Sequence, residues 1–223
     1  MNPLAVKQAI EQVLYTYGKP MRIRLDNGQP FANTKDRKIP TNLVLWLVAL
    51  GIKVHFNQVG TPQQNGSVEC TQRISSRWAN PKNCQNSDQL QQALDQVTFE
   101  HIYVLRQRKN KDATRIMQYP ELNQNARKYQ PQQIDSQKAK DYLASFEWTR
   151  KVYDNGTISV FGARVGIGKK YKLQTVYMRF DPKSAELVIT LYNGKTLKRL
   201  KGLDLSVEAI QNLKVIPDKF TTL

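Results

Sequence analysis

The stretch Met21-Arg22-Ile23-Arg24-Leu25-Asp26-Asn27-Gly28 decides how the first half of this chain is read. Apolar and basic residues alternate from Met21 to Leu25, the period of a strand with one buried face. The stretch closes on Asp-Asn-Gly, a turn-forming tripeptide. Upstream, Asn2-Pro3 reads as a helix start, with Asn at the cap and Pro in the first turn. Ile10, Val13, Leu14 and Tyr17 follow helical spacing up to Gly18, a helix stop. Downstream, residues 40–50 read as a second helix. It is apolar nearly all round (Leu43, Val44, Leu45, Trp46, Leu47, Val48), so it should be buried on more than one side. Gly51 ends it, and Ile52 to Phe56 reads as the next strand. Helix, strand, helix, strand is a parallel α/β pattern.

Asn57 to Gly66 is a polar loop holding Gly60, Pro62 and Gly66. A helix is expected from near Gln63 toward Trp78, broken over Pro81 to Ser87. Ser87 is expected to cap a long helix with Leu90, Ala93, Leu94, Val97, Ile102 and Leu105 on its apolar side. Residues 108–147 are rich in Gln, Lys and Asn and contain Pro120 and Pro131. They read as a linker with one short helix near 135–145. After Trp148 the period becomes two. Asn155-Gly156 and Asn193-Gly194 read as two-residue hairpin turns. Val176, Met178 and Phe180 share one strand face; Leu187, Ile189 and Leu191 share another. Five short strands predict a small β-barrel, which closes its own edges. The expected organisation is therefore a core over 1–107, a linker over 108–147, and a barrel with a C-terminal tail over 148–223.

Composition narrows the function. The chain has 223 residues, 34 Lys and Arg against 18 Asp and Glu, a net charge of +16 and a pI near 9.9. Apolar residues make up 40%, enough for a packed core. The longest apolar run, Leu43 to Leu50, falls well short of the roughly 20 residues of a membrane-spanning helix, and no apolar signal region follows Met1. Cys70 and Cys84 are too few for a disulfide scaffold, and His55 and His101 too few for a Cys/His zinc module. These counts argue against membrane, secreted and zinc-finger classes and for the cytoplasm. The net charge is +5 over 1–107, +3 over 108–147 and +8 over 148–223. That field attracts a polyanion, and nucleic acid is the usual one.

Asp-Asn-Gly occurs twice, at 26–28 and 154–156. Alone it means only a turn, as the second copy illustrates. The first follows a strand, precedes Gln29-Pro30-Phe31, and has a downstream companion in Gly60-Thr61-Pro62-Gln63-Gln64-Asn65-Gly66-Ser67-Val68-Glu69. With these two motifs the chain resembles the DDE transposases of bacterial insertion sequences, relatives of retroviral integrases. The resemblance implies a partial RNase H-like core, ordered helix-strand-helix-strand-helix-helix, followed by an SH3-like small β-barrel. It places Asp26 on the family's second catalytic Asp and Glu69 on its third acid. Both would ligate Mg²⁺ or Mn²⁺ for in-line displacement at phosphorus, where paired ions activate the attacking oxygen and stabilise the leaving one. Hard cations prefer carboxylate oxygens, and Gln63, Gln64 and Asn65 would hydrogen-bond phosphate or base edges beside them. Arg150, Lys151, Lys169, Lys170, Lys172, Lys198, Arg199 and Lys201 are the expected backbone-phosphate contacts of the barrel.

The chain also departs from the family pattern. The first family carboxylate belongs to an opening strand, yet the only acid before Asp26 is Glu11, in a helical segment. Asp36, in the charged loop Thr34 to Lys38, matches no family position, and Cys70 follows Glu69 where relatives often carry a basic residue. The expectation is an N-terminally truncated core with an open edge at Met21 to Leu25, weak metal binding and impaired catalysis. Three readings stay open: a transposase or integrase fragment, a non-catalytic DNA-binding or regulatory remnant, and a protein-interaction scaffold. Expected partners are DNA and either a full-length transposase or further copies of the chain, with no membrane partner. The expected location is the cytoplasm, associated with the nucleoid.

Overall fold

A computed structural model of the chain describes residues 2–32, 39–58, 60–107, 112–124 and 127–222. The loop holding Asp36 lies outside the described residues. The first elements are α1 (Pro3–Tyr17), β1 (Arg22–Leu25), α2 (Asn42–Ala49), β2 (Lys53–Phe56), α3 (Gly66–Ala79) and α4 (Ser87–Phe99). Then come β3 (Arg106–Gln107), β4 (Ala113–Thr114), α5 (Arg115–Gln118), α6 (Glu121–Gln124) and α7 (Ser136–Ala144). The C-terminal part holds β5 (Glu147–Lys151), β6 (Thr157–Val160), β7 (Ala163–Gly166), β8 (Thr175–Asp181), β9 (Glu186–Thr190), β10 (Thr196–Lys201), α8 (Val207–Gln211) and β11 (Thr221–Thr222). The fold is mixed α/β. No helix among the described residues is long and apolar enough to cross a membrane.

The chain forms two compact units, each discontinuous in sequence. One comprises residues 1–12, 20–56 and 130–223; the other comprises 13–19 and 57–129.

In the first unit, β1 and β2 pair in parallel, with Leu25 beside Phe56. The connection between them is α2. The Thr41 hydroxyl caps α2 by accepting the Val44 N–H. Leu43, Val44, Leu45, Trp46, Leu47 and Ala49 of α2 are all buried, and each large one contributes about 1.5–3 kcal/mol of apolar burial. The all-round apolar pattern has its partners: α7 and α8 pack on α2, and α7 also meets β8. The Asp135 N–H donates to the Ala49 carbonyl at 3.0 Å, and the Ile216 N–H to Asn42 Oδ1 at 3.0 Å. The short helix expected near 135–145 is α7, and its Ala139 and Leu143 are fully buried.

The C-terminal strands do not close into a barrel among the described residues. They form an open antiparallel sheet, ordered β11-β10-β9-β8-β5, with a separate β6–β7 hairpin. Asn155-Gly156 makes a tight turn, with the Gly156 N–H on the Tyr153 carbonyl at 2.8 Å. It does not make a hairpin, because β5 pairs with β8 and β6 with β7. The β6–β7 turn is Phe161-Gly162, with φ of 49° and 93°. Phe161 meets the Trp148 ring at 5.7 Å, and Ile158, Val160 and Val165 are buried. The hairpin thus buries its apolar side by packing, without a ladder that would seal the sheet edge. Asn193-Gly194 does join β9 to β10, and Val176, Met178, Phe180, Leu187 and Ile189 share the buried face as the alternation predicts.

In the second unit, α3 packs on α4, a π-helical turn (Glu100–Val104) extends α4, and β3 pairs with β4. Asn86, not Ser87, caps α4: its side chain accepts the Gln89 N–H at 2.9 Å. Asn one position earlier presents its oxygen to the first turn from an extended backbone, as a cap requires.

Candidate nucleic-acid interface and carboxylate positions

Asp26 directly follows the last residue of β1. Its Oδ1 accepts the Gly28 N–H at 3.0 Å, an Asx turn that folds the chain away from the strand. A side chain at Gly28 would place its Cβ 3.2 Å from that same oxygen. Glycine therefore lets the turn close against the carboxylate. The Gly28 carbonyl then accepts the N–H groups of Phe31 and Ala32 at 3.1 and 3.0 Å.

Glu69 lies exposed in the first turn of α3, where a carboxylate favours the positive end of the helix dipole. The preceding Pro62–Asn65 segment is a single 3-10 turn. Of the three amides expected to reach nucleic acid, two hold their own loop. Gln64 Oε1 accepts the Gln58 N–H at 3.0 Å, and the Asn57 side chain donates to Asn65 Oδ1. Gln63 is exposed.

Asp26 belongs to the first unit and Glu69 to the second. Among the described residues no group of three or more His, Cys, Asp or Glu side chains is gathered to hold a metal ion. Mg²⁺ demands an octahedral oxygen shell, usually met by several carboxylates, waters and substrate oxygens. Among the described residues, no donor set for a two-metal catalytic centre is gathered.

The expected basic contacts sort into two groups. Lys151, Lys169, Lys170 and Lys172 are exposed and have no ion pair among the described residues. Backbone bonds collect them at one end of the sheet. The Gly156 carbonyl accepts the Ile167 and Gly168 N–H groups at 2.8 and 3.0 Å. The Leu173 N–H donates to the Val152 carbonyl, and the Val152 N–H to the Gln174 carbonyl, both at 2.9 Å. The loop carrying Lys169 to Lys172 is thereby laid against the chain that follows Lys151. Lys198 reaches the same end, its Nζ donating to the Gly166 carbonyl at 2.9 Å. Arg164 stacks over Tyr153 at 5.0 Å, and Lys170 over Tyr171 at 5.1 Å. From residue 151 to 175 the only acid is Asp154.

The second group is engaged within the fold. Arg150 donates from Nε to the Ser159 carbonyl at 3.0 Å and from Nη1 to the Thr149 carbonyl at 2.7 Å, tying β5 to β6. Arg199 pairs with Glu186 at 3.1 Å and Asp181 at 3.8 Å, and Lys201 with Glu186 at 3.7 Å. The Asp181 carboxyl is held below the usual carboxylate range, first by the Lys183 N–H and then by the Ser184 hydroxyl, with Arg199 adding to both. Arg164 and Tyr153 were not among the sequence-predicted contacts. The β6–β7 pairing that aims Arg164 at Tyr153 has no hairpin signal in the sequence.

No protein-family model matches the chain.

Proposed function

We propose that this chain is a DNA-binding protein of DDE-transposase or integrase ancestry. In that reading β1, α2, β2 and α3 belong to a partial RNase H-like core, and the C-terminal sheet descends from an SH3-like barrel. Two element positions support it: Asp26 directly follows a strand of a parallel pair, and Glu69 lies in the first turn of a helix behind a Pro-containing loop. The ancestral reaction is Mg²⁺- or Mn²⁺-dependent DNA cleavage and strand transfer. With Asp26 and Glu69 alone, this chain binds such an ion weakly and catalyses poorly. A non-catalytic role is the second reading, in which the chain occupies DNA otherwise used by a full-length transposase or by further copies. That no group of three or more potential metal ligands is gathered among the described residues favours it. The location that follows is the cytoplasm, on the nucleoid.

The observation that carries DNA binding is the exposed lysine group Lys151, Lys169, Lys170 and Lys172, without an ion pair among the described residues. Phosphate contacts by such residues supply affinity without reading bases, at about 0.9 in salt slope each. The test is fluorescence anisotropy with a labelled duplex, comparing the wild type with Lys169→Gln/Lys170→Gln/Lys172→Gln. The triple variant is expected to bind more weakly, with a salt slope shallower by about 2.7. Unchanged affinity and slope overturn the reading.

A further inference from the structure

We propose that the solvent face of the β1–β2 pair is a second track for a nucleic-acid phosphate backbone. The parallel register sets Arg22 beside Lys53, Ile23 beside Val54, Arg24 beside His55 and Leu25 beside Phe56. Alternation along each strand then puts all four basic residues on one face, and all four are exposed. On the other face Leu25 is buried and Ile23, Val54 and Phe56 are half-buried. The two faces are thus unlike: one packs, the other carries only basic groups.

That arrangement is unfavourable for the sheet itself. Like charges directly opposite on neighbouring strands destabilise the pair, by tenths of a kcal/mol up to about 1. Solvated faces usually interleave both signs. Here none of the four has an ion pair among the described residues, and Arg22 stands directly beside Lys53. An extended polyanion resolves the repulsion. Residues two apart on a strand are about 6.6 Å apart and neighbouring strands about 4.8 Å. The four groups therefore make a small grid that can meet successive phosphates. The arginine forks match phosphate oxygens two at a time. An acidic peptide is a poorer fit, since it must set several carboxylates at that density against its own repulsion. The track stops at Asp26, the first acid after β1, whose carboxylate repels a phosphate and is held by the Gly28 N–H. A backbone lying on this face therefore ends next to the candidate catalytic carboxylate.

The proposal rests on the DNA-binding reading, and the experiment separates the two. Anisotropy with a short labelled duplex, between about 50 and 200 mM salt, compares the wild type with Arg22→Gln/Arg24→Gln/Lys53→Gln/His55→Gln. The expected result is weaker binding, a salt slope shallower by about 2.7 for the three fixed charges, and an unchanged or higher thermal midpoint. A wild type that does not bind the duplex refutes the DNA-binding reading. A wild type that binds, with a variant of equal affinity and slope, refutes this track alone. Lysine acetylation of the wild type, with and without duplex, needs no variant. Lys53 is expected to be protected by DNA, and an unprotected Lys53 beside a protected Lys169 overturns the proposal.

Discussion

Gly156 sits so close to Lys169 that a Cβ on it would lie 2.5 Å from the Lys169 backbone nitrogen and 2.6 Å from the Gly168 carbonyl carbon. The φ of Gly156 is also 76°, a left-handed conformation that a side chain disfavours. Both facts come from one requirement: the turn after Tyr153 must back onto the loop that displays the lysines.

Gly156→Ala is therefore expected to destabilise the fold by about 2 kcal/mol, through strain and backbone displacement together. It should also weaken DNA binding, because Lys169, Lys170 and Lys172 lose their fixed placement. Urea unfolding and anisotropy on the same variant check both parts. A stability change within about 0.5 kcal/mol, the range of an ordinary surface substitution, would contradict the tight approach.

Glu186 engages Lys201 and, together with Asp181, Arg199. Its side chain is only 8% exposed and faces both cations. Glu186→Gln keeps the shape and removes the charge. The expected cost is about 1–2 kcal/mol, less than for a fully buried pair because both partners are half-exposed. With Arg199 still beside Asp181, the released Lys201 should strengthen the proposed DNA binding and steepen its salt slope by about 0.9, one contact. Equal slopes for wild type and variant would show that Lys201 never reaches the phosphates.

His101 sets an acid limit on the second unit. It is buried, its ring meets Trp78 edge-on at 5.1 Å, and its Nε2 has no hydrogen-bond partner among the described residues. Burial lowers its pKa first and the Arg115 charge second, against a smaller opposing pull from Glu100. The folded state thus resists a proton that the unfolded chain accepts near its ordinary value of about 6.5. This contribution to stability is present above that pH and is lost as the pH falls through it toward the lowered folded value. His101→Phe should remove that part of the slope. Thermal midpoints measured from about pH 7 to 5 should fall more steeply for the wild type than for the variant, by about 1–2 °C. Parallel curves would show that the ring does not couple to folding.

The helices and the parallel strands were legible because their signals are local. Asn2 accepts the Leu4 N–H at the start of α1, Gly18 closes it at φ 78°, and the run at 43–50 could only be a buried helix. What the sequence hid depends on distant partners. Phe161 occupies a left-handed turn position that its residue type disfavours, because its ring packs on Trp148. Ala139 and Leu143 sit in a polar-looking segment, and only α2 and β8 reveal their face. The basic residues looked equivalent along the chain. Cross-strand register sorts them, setting Arg199 against Glu186 and leaving Lys169 to Lys172 in solvent. Gln64 and Asn65 likewise read as free amides until Asn57 and Gln58 are placed against them.

Strand cleavage is the most direct test of the proposed ancestral chemistry. In-line displacement at phosphorus uses two divalent ions to activate the attacking oxygen and stabilise the leaving one. Each ion needs several oxygens held in place. This chain offers Asp26 at the end of β1 and Glu69 at the start of α3, and Glu11 lies in α1, where its carboxylate pairs with Lys7 Nζ at 2.6 Å. Among the described residues no group of three or more His, Cys, Asp or Glu side chains is gathered at either candidate. The purified 223-residue chain is therefore expected to leave supercoiled DNA intact in Mg²⁺ or Mn²⁺, and Glu69→Gln to behave as the wild type does. The proposed DNA binding should persist in both, because in that reading it draws on the lysines and not on the carboxylates. Efficient nicking that disappears with Glu69→Gln would mean that another group, from this chain or a second one, completes the ligand set.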